Sequence, residues 1–207
     1  MLHVDEIEWP DGVEWSEAAK KATLVWQEAE TFEALCELNA CFMEGRLRFI
    51  PGWFGESLDP ESEPLAPYLA AFNRAGFLTV VSQPGLDEEH SKQRAFVDGF
   101  ALEDTALGIK QLSLCSDLYV YVARPGESGG CQMAVTIDHS DPYTWAGEAT
   151  LDEEGLFVEM QGHAEICNER AMEALRQAWF VSVIDLCWGR TGYLWDTLAK
   201  ELVFLCR

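Results

Sequence analysis

Asn73-Arg74-Ala75-Gly76-Phe77-Leu78-Thr79-Val80-Val81-Ser82-Gln83-Pro84 holds a complete local folding signal. Leu65 to Arg74 places apolar residues at helical spacing, and Gly76 stands where a glycine ends a helix through the left-handed region. Phe77 to Val81 is apolar and β-branched, the length and composition of a buried strand. Ser82-Gln83-Pro84-Gly85 has turn chemistry and is expected to close that strand. The unit is therefore a helix running through a glycine into a core strand.

Upstream, Ser16 opens a helical pattern through Ala18, Ala22, Val25, Trp26 and Ala29. A second helix starts at Thr31 and carries Phe32, Leu35, Cys36, Phe42 and Met43 before Gly45 stops it. Met1 to Trp15, acidic with Trp9 and Trp15, reads as an arm laid over the domain. Pro51 to Pro64 has the composition of a long loop, a class that is often functional. Downstream, Leu86 to Lys92 reads as a polar loop, Arg94 to Leu102 as a strand and Asp104 to Leu112 as a short helix. Leu118 to Ala123 and Cys131 to Ile137 read as strands with a Gly-rich hairpin region, Pro125 to Gly130, between them. Asn168 to Ala178 follows as a helix, Trp179 to Leu186 as a strand, and Leu194 to Phe204 as a final helix. The expected fold class is α/β (mixed α+β), a single domain with a central mixed β-sheet flanked by helices. Residues 1–50 supply the arm and first helices, and 51–207 the core.

The chain has 207 residues, 48% hydrophobic and 24% charged, which suits a globular domain with a sizeable core. No apolar run is long enough for a bilayer, and the acidic start fits neither a secretory signal nor a basic transit peptide. A cytoplasmic location without membrane contact is expected. The seven cysteines are scattered with no C-x-x-C pair, which favours free thiols in a reducing compartment over a disulfide framework or a zinc site. A net charge of −22 argues against direct contact with nucleic acid and attracts cations. The same field is compatible with a basic protein partner, and a homo-oligomer is compatible with the composition.

Phosphate-binding, dinucleotide-binding, zinc-protease and nucleophile-elbow motifs are absent from the sequence. Asp138-His139-Ser140-Asp141 contains metal-ligating residue types, but a turn before Pro142 accounts for it without a metal. No catalytic residue and no metal ligand is assigned.

Four blocks occur in one order: Asn73 to Pro84, with its T-x-x-S-Q-P turn; Gln93-Arg94-Ala95-Phe96; Ala134-Val135-Thr136; and Phe180 to Asp185 followed by Leu194-Trp195. Together they resemble the S-adenosylmethionine-binding regulatory domain of eukaryotic methylenetetrahydrofolate reductase. The S-Q-P-G signature is also similar to that of small stand-alone bacterial proteins. The resemblance omits roughly the first 55 residues and the whole catalytic barrel of the reductase, which 207 residues cannot contain.

The resemblance implies a ligand held by a Glu-Thr pair ahead of the strand, by the Thr and Ser of T-x-x-S, and by two later threonines. Here these positions are Glu61, Ser62 (a hydroxyl replacing Thr), Thr79, Ser82, Thr136 and Thr150, with Thr144 competing with Thr136. S-adenosylmethionine or S-adenosylhomocysteine is the implied ligand, and no cofactor is required. A carboxylate suits the ligand's ammonium or ribose hydroxyls, and hydroxyls donate or accept as needed. Trp53 or Trp145 could stack on adenine or sulfonium. Thr79 and Ser82, three apart, would face opposite sides of a straight strand, so both meet one ligand only if the chain turns at Ser82. The implied function is a non-catalytic module that senses or sequesters the ligand. The alternatives are an acidic inhibitor of a basic nucleic-acid-binding protein and an enzyme that cleaves or transfers from such a ligand.

Overall fold

Two helices come first among the residues that the computed structural model describes, 15–51 and 57–205. The proposed arm, Met1 to Trp15, thus falls almost wholly outside the described residues, and Trp53 lies outside them too. Helix α1 is Trp15–Glu28 and α2 is Phe32–Met43. Thr31 caps α2 by accepting the Ala34 N–H at 3.2 Å, satisfying one of the donors a helix start leaves free. A 3-10 turn at Glu63–Leu65 leads into α3, Ala66–Arg74. Gly76 takes φ +83, the left-handed conformation that turns the chain from α3 into the sheet.

The strands are β1 (Phe77–Gln83), β2 (Leu86–Asp87), β3 (Ser91–Ala101), β4 (Leu118–Ala123), β5 (Gly129–Asp138), β6 (Asp141–Ala149) and β7 (Trp179–Trp188). Every pairing among them is antiparallel, so of the two layouts the sequence allows, α+β is realised. Strand β3 is the hub. One of its edges carries β1, along Phe96 to Ala101, and then β2, along Lys92 and Gln93. The other edge is shared by β7, along Arg94 to Ala101, and by β5, along Ser91 to Gln93. With β4 outside β7 and β6 outside β5, the sheet forks into two wings at Arg94.

Alternation along the strands sorts side chains onto two faces. Phe100 and Phe180 join α1, α2 and α7 (Glu169–Arg176) in one core with Phe157 and Met160. Val97, Ala101, Val181 and Val183 join α3, α4 (Glu103–Lys110) and α8 (Tyr193–Leu205) in the other. Phe96, Val135, Ala146 and Ile184 fill the angle of the fork. Two short helices, α5 (Leu112–Cys115) and α6 (Gln161–Ala164), complete the set.

Backbone carbonyls at a fork lose their ladder partners, and Gln83 satisfies them. Its Nε2 donates to Arg94 O at 3.0 Å and Val135 O at 3.1 Å, and its Oε1 accepts from Thr136 Oγ1 at 2.8 Å. After β7, Arg190 closes the turn to α8. It pairs with the fully buried Asp185 through Nε at 2.7 Å and Nη2 at 2.6 Å, and its guanidinium lies over Tyr193 at 3.7 Å.

Four sequence expectations need correction. The Pro125 to Gly130 segment does not join a hairpin: β4 pairs with β7, whereas β5 pairs with β3 and β6. The hairpin partner of β5 is β6, whose Asp-Pro-Tyr start obscured it. The loop read at Leu86 to Lys92 contains β2 and the start of β3. Ser82 and Gln83 remain in β1, so the turn begins only at Pro84. The reading of Asp138 to Asp141 as a turn holds: His139 and Ser140, with φ 46 and 79, are the two central residues of a tight hairpin turn between β5 and β6. No group of three or more metal-ligating side chains occurs among the described residues.

Candidate functional site

Strand β1 lies at an edge of the sheet, and its free side faces a cavity of 570 Å³. Five consecutive β1 residues, Thr79 to Gln83, line it. Phe42 and Met43 at the end of α2, Leu58, Asp59, Glu61 and Ser62 ahead of α3, and Glu159, Gln161 and His163 around α6 supply most of the remaining wall. A volume of this size suits a ligand of drug or nucleoside dimensions.

The register of β1 resolves the question raised by Thr79 and Ser82. Thr79 pairs with Gly99, Val81 with Asp98 and Ser82 with Val97, so Val80 is one residue in excess. This β-bulge restores the parity that a spacing of three would break, and Thr79 and Ser82 share a side. A bulge at Val80, not a turn at Ser82, is what brings both to one wall.

Buried amides hold the bulge in place. Asn73 Nδ2 donates to Thr79 Oγ1 at 2.8 Å and to Leu69 O at 2.7 Å, and Asn73 Oδ1 accepts the Thr79 N–H at 3.1 Å. Asn39 Nδ2 donates to Thr79 O at 2.7 Å and to Asn73 Oδ1 at 2.9 Å. Thr79 therefore has its backbone groups occupied on the side away from β3, and its hydroxyl accepts from Asn73 with its own proton still to give. Across the strand pair, Gly99 permits the close approach: a Cβ there would meet Leu78 O at 2.2 Å and Thr79 Cα at 2.9 Å.

Of the six positions drawn from the resemblance, Glu61, Ser62, Thr79 and Ser82 line the cavity. Thr136 does not. It is buried, and its hydroxyl is spent on Gln83, which does line the cavity, so Thr136 stands one residue behind the wall. Its cross-strand partner Thr144, the competing position, takes the place on the wall. Thr150 is exposed just beyond β6 and lies outside the lining; its carbonyl accepts the Val158 N–H at 3.0 Å. Trp145 is half exposed on β6 and is likewise outside the lining.

The wall is apolar over Phe42, Met43, Ile50, Val80, Val81 and Phe96. Its acidic residues are Asp59, Glu61 and Glu159, and no Lys or Arg occurs among its described residues. Such a surface favours a ligand of net positive charge and disfavours a polyphosphate. Glu61 Oε2 accepts from Gln93 Nε2 at 3.4 Å, which turns the carboxylate toward the fork in the sheet.

Sequence reading passed over the two most perturbed wall residues. His163 is 2% exposed, neither ring nitrogen has a partner among the described residues, and burial holds its pKa down to about 4. It packs edge-on against Trp26, whose own N–H is committed to Phe49 O at 3.1 Å. Glu159, one helical turn earlier, has an unpartnered Oε2 and a pKa raised by burial. Behind them Asp98 is buried opposite Ser182, and burial pushes its pKa up to about 7. The signal for these residues was faint: a lone His and a Glu in a polar segment with no motif.

No helix among the described residues is long and apolar enough to cross a membrane. A comparison with curated proteins found no match. A family model described as a domain of unknown function, DUF6919, matches residues 21–205, which span both cores and the whole cavity wall, and the chain belongs to that family.

Proposed function

We propose that the protein is a binding module for a small amphipathic ligand that carries a cationic group, with S-adenosylmethionine or S-adenosylhomocysteine as the candidate ligand. The observation that carries this reading is the bulged edge strand: Thr79 and Ser82 on one wall of a cavity that also collects Glu61 and Ser62 and offers carboxyls with no Lys or Arg among its described residues. Glu61 and Asp59 suit a sulfonium or ammonium, the hydroxyls of Ser62, Thr79, Ser82 and Thr144 suit ribose, and the apolar wall suits a ring. The resemblance in sequence supports the same ligand class.

The test is a thermal-shift scan backed by calorimetry with S-adenosylmethionine, S-adenosylhomocysteine and ATP. Ligand at a hundred times its dissociation constant adds about 2.7 kcal/mol. For a domain of this size that raises the melting temperature by roughly 5–10 °C. The expected result is a shift with the adenosyl ligands and none with ATP. In Glu61→Gln, affinity should fall at least tenfold while the unliganded melting temperature stays put. No binding of either adenosyl ligand at millimolar concentration, or tighter binding of ATP, would overturn the proposal.

A further inference from the structure

The cavity has two differently built sides. On one, Glu61 reaches Gln93 at the fork in the sheet, beside Gln83 and Thr144. On the other, His163 is seated on Trp26 within the core of α1 and α2, and Glu159 precedes it by one helical turn. The first side is open to charge. On the second, His163 is buried and Glu159 half-buried, and yet Glu159 Oε2 and both nitrogens of His163, themselves shielded from solvent, are left without partners among the described residues.

Leaving a buried polar atom unpaired costs about 1–3 kcal/mol, so such atoms are rare and ask for a reason. Three of them on one stretch of cavity wall have a common explanation in a ligand that supplies the missing partners. Burial keeps His163 uncharged, and an uncharged imidazole carries one donor and one acceptor. Burial raises the Glu159 pKa, and its unpartnered Oε2 is an acceptor still to be used. Together the two side chains present acceptors and a ring N–H donor to one ligand edge, which suits an edge that carries an amine beside ring nitrogens. Phe42, Met43 and Phe96 provide flat or soft apolar surfaces for the faces of a planar group.

We infer that Glu159 and His163 form a recognition end for a planar nitrogen heteroaromatic group bearing an exocyclic amine, the uncharged half of the ligand whose cationic half meets Glu61. The inference rests on the cavity being the small-molecule site proposed above, and the two halves are separable by probe. Adenosine carries the ring without the cation, and S-methylmethionine carries the sulfonium without the ring.

Binding of each is measured by calorimetry and ligand-observed NMR to the wild type, Glu159→Met, His163→Phe and Glu61→Gln, with melting temperatures taken alongside. Met keeps the length of Glu159, and Phe keeps the edge contact to Trp26. Both variants are expected to melt at or above the wild-type temperature, because each removes an unpaired polar group. Adenosine affinity should fall at least tenfold in both, and S-methylmethionine affinity should not change; Glu61→Gln should do the reverse. Adenosine that fails to bind the wild type, or that binds both variants as well as the wild type, would overturn the inference. Adenosine binding that depends on Glu159 and His163, with no binding of S-methylmethionine, would uphold this inference and remove the cation from the proposed function.

Discussion

Replacing Asp98 by Asn should stabilise the protein, and should do so only above acidic pH. Asp98 sits mid-strand on β3 between Val81 and Ser182, its Oδ1 without a hydrogen-bond partner among the described residues. Burial is the main cause that raises its pKa from 3.8 to about 7, with the Ser182 hydroxyl offsetting part of the effect and Glu159 adding to it. The sign follows from proton linkage. Between those two values the folded carboxyl keeps its proton while the unfolded one has lost it, so stability falls as pH rises through the window and the loss is complete above about 7. At about 1.36 kcal/mol per pH unit, the gap amounts to about 4 kcal/mol. Asn has the same shape and no charge to desolvate. For a domain of this size, 4 kcal/mol corresponds to roughly 8–16 °C in melting temperature. Urea unfolding of wild type and Asp98→Asn from pH 4 to pH 8.5 measures the difference directly. The two should be nearly equal at pH 4 and diverge up to neutrality, with the variant the more stable. A difference that does not vary with pH, or an Asn variant that is weaker at pH 8, would refute the assignment of a strongly desolvated carboxyl.

Gln83→Leu should destabilise by about 3 kcal/mol or more, because it strands the Arg94 and Val135 carbonyls at the fork; Thr136→Val, which removes one partner of Gln83, should cost about 1 kcal/mol. Urea midpoints at constant slope test the order of the two. Gly99→Ala drives a Cβ into the β1 backbone and should cost at least about 2 kcal/mol along with the Thr79 wall, whereas Gly155→Ala, with open space around it and only its φ of +80 to oppose it, should cost about 1 kcal/mol. Melting curves of the pair separate steric from conformational strain. Arg190→Ala leaves the Asp185 carboxylate buried and unpaired and should cost about 3–5 kcal/mol; Arg190→Lys, lacking the two-pronged fork, should recover only part of it in the same denaturation assay.

The limits of sequence reading are visible at particular residues. The segment from α3 to β1 was legible because its signals are local: helical spacing up to Arg74, a glycine at Gly76, then an apolar β-branched run. The same holds for the caps at Thr31 and Asn168, whose side chains bond to backbone N–H groups two or three residues on. Four of the six candidate site residues reach the cavity because they sit in this segment or just ahead of it. Thr136 and Thr150 do not, since their roles depend on which strand passes beside them.

By itself, then, the sequence determined most of the succession of helices and strands, the mixing of both in one domain and the acidic composition, all of which follow from neighbours along the chain. The pairing of β4 with β7, the strand β6, the fork sealed by Gln83 and the bulge at Val80 were decided only by the tertiary structure. So was the chemistry of Glu159, His163 and Asp98. A carboxyl or an imidazole carries no mark of burial in its own identity, and its perturbation is created by the elements that fold over it.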